Sequence, residues 1–146
     1  MAHQRQPDEV IELRTRLELK ALAGIFKNTI DNSIKFKEKA RGKLEWARPE
    51  RNHRDPFSSL DQNHDFEAVA GFVPRGAATM GVGGIYAWAL HLYADDRGTH
   101  REAQIVHFSA PMWRSMSDAR LKSVMDALIG ADPALENRGV TRGNYS

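Results

Sequence analysis

An α+β fold is predicted, with a long N-terminal helix, a small mostly antiparallel sheet that includes a β-hairpin, and a C-terminal helix. Three observations predict it. Apolar residues recur at three- and four-residue spacing early in the chain, two apolar runs flank a turn in its second half, and a second amphipathic run follows them. With 146 residues, 41% of them hydrophobic and 27% charged, the chain suits one domain over residues 1–146 rather than a disordered polymer.

The first element rests on Pro7, which fits an opening helical turn, and on Asp8, Glu9 and Glu12, which place negative charge where a helix dipole favours it. Val10, Leu13, Leu17 and Ala21, then Leu22, Phe26 and Ile30, keep the spacing and predict a helix over residues 8–31. Its apolar stripe is too broad for a helix lying on one surface. Leu13, Leu17, Leu22 and Phe26 are therefore expected to bind a partner, either a second copy of the chain or another protein.

Over residues 34–46 every odd position from 35 to 43 is basic, while Ile34, Phe36, Ala40, Leu44 and Trp46 occupy even ones. Period two predicts a strand or hairpin turning near Gly42, with Lys35, Lys37, Lys39, Arg41 and Lys43 on one face. Helix-favouring Lys, Glu and Ala in the same segment argue the other way. Residues 47–65, with two prolines and many Asn, Asp and Ser, predict a polar loop.

Strands are predicted over residues 66–73, 84–93 and 103–110, the last two joined by a turn at Asp95, Asp96, Arg97 and Gly98. Ser117 is a suitable helix cap, Leu121, Val124, Met125, Leu128 and Ile129 form an apolar face, and Gly130 with Pro133 ends the C-terminal helix. Residues 131–146 are expected to be a loosely packed tail.

Several chemistries are excluded by composition. The chain has no cysteine, which removes disulfides, thiolate metal sites and cysteine nucleophiles. No apolar run is long enough to span a membrane, and the first residues lack the apolar stretch of a secretory signal, so a cytoplasmic protein is expected. No nucleophile elbow, zinc-protease motif or phosphate-binding glycine motif is complete, and the cluster of Gly71, Gly76, Gly81, Gly83 and Gly84 leads into an apparent strand rather than a helix. No cofactor is expected.

Charge is uneven. Residues 1–54 carry 13 Lys and Arg against 8 Asp and Glu, whereas the rest carries 8 against 11. The favoured reading is a small non-enzymatic binding or regulatory protein acting through protein–protein contact, as a homo-oligomer, with Trp113 flanked by Met112 and Arg114 as an interface anchor. The first alternative is nucleic-acid binding by the basic segment 35–54, with Lys35, Lys37, Lys39, Arg41 and Lys43 meeting phosphates and Phe36 or Trp46 stacking on bases. The second is a metal-dependent hydrolase or nuclease built on the loop over 53–65, from His53, Asp55 and His64. His91 and His107 are expected on neighbouring rungs of the hairpin, where satisfied cross-strand roles are the commoner outcome.

Overall fold

A computed structural model describes residues 7–47, 65–75 and 86–142. The elements are β1 (Glu9–Thr15), α1 (Leu19–Ser33), α2 (Phe36–Lys39), β2 (Gly42–Ala47), β3 (Phe66–Pro74), β4 (Trp88–Asp96), β5 (Arg101–Ser109), α3 (Arg114–Ala131) and β6 (Glu136–Arg142). The strands form one six-stranded sheet in the order β2-β3-β4-β5-β1-β6, antiparallel throughout. The fold is α+β.

The expected helix over 8–31 divides in two. Residues 9–15 are a strand, because Val10, Ile11 and Leu13 satisfy the strand period as well as the helical one, and β-branched Val10, Ile11 and Thr15 favour the extended form. Pairing decides the matter: β1 lies between β5, where Val10 faces Val106, and β6, where Ile11 faces Val140. The helix starts at Leu19, and Leu22, Phe26 and Ile30 form one fully buried row along it.

The change from strand to helix is held by a residue from the far end of the chain. Asp132 Oδ2 accepts hydrogen bonds from Thr15 Oγ1 at 2.7 Å and from the Arg16 backbone N–H at 3.0 Å. Thr15 Oγ1 in turn accepts from Leu17 N–H at 3.1 Å. A backbone that must leave a ladder needs such partners for its freed amides.

α1 and α3 cover one face of the sheet and pack on each other. Between them and the strands lie Phe72 and Trp88, stacked with ring centroids 5.8 Å apart, and Trp113, 5.6 Å from Phe72. The opposite face holds a smaller buried cluster of Val10, Tyr93, Val106 and Phe108.

Three further expectations shift. Only residues 42–46 of the segment 34–46 are strand, and α2 precedes them; Gly42 lets β2 begin against β3, since a Cβ there would lie 2.3 Å from the Val73 carbonyl oxygen. The β4–β5 turn falls slightly later than expected, with Arg97 N–H donating to the His100 carbonyl and Gly98 at φ +89°. The expected tail contains β6, a strand that composition conceals, because pairing with β1 supplies its backbone bonds while its side chains stay polar. Its ladder skips Arg138 opposite Glu12 and Leu13; such a bulge, with charged neighbours, protects an edge strand from further pairing.

Phe26→Ala should cost about 3–5 kcal/mol in denaturant unfolding, as the ring is fully buried beneath the helix pair. The hydrogen bond from Thr15, followed by those from the Arg16 and Ala134 backbones, holds the Asp132 carboxyl below the usual carboxylate range. Its charged form therefore stabilises the fold above about pH 4, and that contribution is lost as the pH falls through the depressed folded value. Asp132→Asn should destabilise the protein at pH 7, and the gap to the unmodified chain should close below about pH 4.

Candidate functional site

The basic residues gather where α1 gives way to α2 and β2. Lys35, Lys37, Lys39, Arg41 and Lys43 are all exposed. They do not share one strand face as expected. Lys37 and Lys39 lie on the helical turn of α2, Lys35 and Arg41 flank it, and Lys43 alone belongs to β2.

The turn forms around Glu38. Its side chain accepts from Arg120 Nη1 at 2.8 Å and 2.7 Å, one contact to each carboxylate oxygen, and Oε1 also accepts from the Lys35 backbone N–H at 3.2 Å. Arg120 is buried on α3 and Glu38 is nearly so, which fixes the acidic residue inward and leaves the lysines around it pointing to water. Arg41 lies over the Trp113 ring, 4.3 Å from its centroid.

Beside this corner stands Trp46, 37% exposed. Its ring packs edge-on against Phe26 at 5.9 Å, its Nε1–H donates to Asp31 Oδ1 at 3.1 Å, and Lys27 Nζ is 5.9 Å from its centroid. Phe26 and Asp31 thus hold an aromatic face at the surface among cations.

The residues expected to form a protein interface lie elsewhere. Leu13, Leu22 and Phe26 are buried in the core, Trp113 is buried beside Phe72, and Leu17 packs against the same cluster partly covered. The breadth of the N-terminal apolar stripe has an internal cause: its first part is a central strand and its second a helix lying on the sheet. The loop residues His53, Asp55 and His64 lie outside the described residues, as do four of the clustered glycines, Gly76 to Gly84.

His91 and His107 sit on adjacent strands but on opposite faces, since His91 is across from Val106 and Leu90 is across from His107. His91 Nδ1 is 2.9 Å from the Tyr93 hydroxyl. His107 belongs to a polar cluster under the first turn of α3 that sequence spacing does not reveal. Its Nε2 is 2.6 Å from Ser117 Oγ, and its Nδ1 is 3.7 Å from Asp118 Oδ1. Glu9, on β1, brings a third ligand-type atom, the three lying within 4.8 Å of one another. Nearby, Asp8 accepts from the Ser109 backbone N–H at 2.5 Å and from Arg114 Nη2 at 2.8 Å, tying β1 to the β5–α3 junction.

Burial pushes the His107 pKa down; Asp8 and Asp118 oppose that shift and Arg114 adds to it. The net shift favours the neutral ring. Serine, histidine and aspartate in contact have the composition of a hydrolytic triad, but Ser117 is 0% exposed and its hydroxyl donates to the Arg114 carbonyl at 3.1 Å. Among the described residues that oxygen is closed off from solvent, which a serine nucleophile could not be.

Arg120→Ala should cost roughly 2–3 kcal/mol in chemical denaturation, below the range for a fully buried pair because Glu38 keeps some contact with water. No described helix is long and apolar enough to cross a membrane. Comparison with protein-family models, with curated proteins and with solved structures finds no match for the chain.

Proposed function

We propose that the protein binds nucleic acid, preferentially single-stranded, through the corner formed by Lys35, Lys37, Lys39, Arg41, Lys43 and Trp46. The observation that carries this reading is the exposure of all five basic side chains beside an aromatic face that is itself held at the surface. Protein contact through Leu13, Leu17, Leu22, Phe26 and Trp113 is the weaker reading, because those side chains are engaged in the core.

Clustered cations bind a phosphate backbone by releasing its condensed counterions, without regard to sequence. An exposed ring adds affinity only where a base is free to leave its stack, which is the basis of the preference for single strands. Arg41 contributes its charge while its guanidinium stays on Trp113, so little freedom is lost when a phosphate arrives.

Binding of labelled single- and double-stranded DNA and RNA at about 50 and 200 mM salt tests the reading. Five phosphate contacts on a single strand should weaken binding about 100-fold across that range. Replacing Lys35, Lys37, Lys39, Arg41 and Lys43 together by Ala should abolish binding while leaving the circular dichroism spectrum unchanged. Trp46→Ala should weaken single-strand binding by about 5- to 100-fold without altering the salt slope. Absence of binding at the lower salt, or full affinity in the five-fold variant, would overturn the proposal.

A further inference from the structure

The Glu9–His107–Asp118 cluster has an unmet requirement that is independent of nucleic-acid binding. His107 is 1% exposed, and its Nδ1 is buried with no hydrogen-bond partner. On the other side of the ring, Nε2 meets Ser117 Oγ at 2.6 Å. Ser117 Oγ also lies 3.1 Å from the Arg114 carbonyl oxygen, to which its hydroxyl can donate while accepting from Nε2–H. Nδ1 faces Asp118 Oδ1 at 3.7 Å, beyond hydrogen-bond reach, and Glu9 brings a second carboxylate to the same place. A buried ring nitrogen without a partner, set beside two carboxylates, has the ligand composition of a cation site.

We propose that Glu9, His107 and Asp118 bind one divalent transition-metal ion, with Nδ1 of His107 and one carboxylate oxygen from each acid as ligands. One imidazole nitrogen and two carboxylate oxygens suit Zn²⁺ or a neighbouring ion such as Co²⁺ or Mn²⁺, whereas Ca²⁺ and Mg²⁺ prefer oxygen alone. With a metal on Nδ1, Nε2 carries the ring proton and donates to Ser117 Oγ, the outer hydrogen bond that metal-binding histidines characteristically make.

Tetrahedral ligands at about 2.1 Å from an ion lie about 3.4 Å from one another, so the three atoms, now within 4.8 Å, draw together on binding. Asp118, with its side chain 55% exposed, is free to do so and leaves the outer side of the ion to water. Glu9 has another polar contact, which the ion would share or displace. The bound ion would join β1, β5 and the first turn of α3.

The test uses the full chain freed of metal with a chelator. Calorimetric titration with Zn²⁺ should show one ion per chain, and Co²⁺ should give visible absorption bands of a nitrogen–oxygen site. Asp118→Asn and Glu9→Gln, both at positions with solvent access, should each weaken Zn²⁺ binding at least tenfold. Nitrogen-15 NMR of the Zn²⁺-loaded chain should show His107 protonated at Nε2 and unprotonated at Nδ1. Lack of saturable binding, or Zn²⁺ binding undiminished in both variants and hence due to other histidines, would overturn the proposal. So would a proton on Nδ1 of His107 in the Zn²⁺-loaded chain.

Discussion

The pairing of β1 with strands from the opposite end of the chain is the constraint on which the rest of the structure depends. Residues 9–15 lie between residues 101–107 and 136–142, so the sheet cannot close until both distant segments are in place. Closing loops of this length is entropically costly, and the return comes from two complete ladders and from burying Val10, Ile11 and Leu13. The Asp132 clamp on Thr15 and Arg16 is a consequence of that arrangement, because it forms only when the end of α3 lies beside the end of β1.

The same constraint explains how far the sequence was legible. Elements whose pattern is local were readable: β3 through Phe66, Ala68, Ala70 and Phe72, the two hairpin strands within a few residues, and α3 through Leu121, Val124 and Leu128. The α+β class followed from them. β1 was misread because seven residues are too few to separate a period of 2 from one of 3.6, and only its distant partners decide between them. β6 was missed for the complementary reason: an edge strand needs little apolar surface, and Glu136, Asn137 and Arg138 resemble loop residues.

Burial sorted the candidate residues by physical type. The large apolar side chains nominated for an interface were needed inside, as expected for a sheet that must fill the space beneath two helices. The lysines and Arg41 stayed outside, so the basic corner was legible by composition although its geometry was not. A fully formed strand over 34–46 would have placed Glu38 on the apolar face. The helical turn instead directs it to Arg120. The histidine cluster was illegible for a different reason. Residues 9, 107 and 118 meet only through the β1–β5 register and the angle at which α3 leaves the sheet, and no spacing along the chain encodes either.

Both regions converge on one short stretch, the junction between β5 and α3. Trp113 carries Arg41 on its face while its ring packs inward on Phe72, and Arg120 holds Glu38 one helical segment later. In the same stretch Ser117 orients His107, and Arg114 binds Asp8. The junction can serve both because α3 starts directly after the Pro111–Trp113 turn, without a flexible linker, so its first two turns stand at a fixed angle to the sheet. Residues of this short stretch then meet different elements: Trp113 and Arg120 contact Arg41 and Glu38, and Arg114, Ser117 and Asp118 lie beside Asp8 and His107. A displacement at either region must pass through the same packed turn, whose Trp113 is locked between Phe72 and Arg41. The packing of that turn thereby sets the position of the cationic corner and of the His107 cluster against the same sheet.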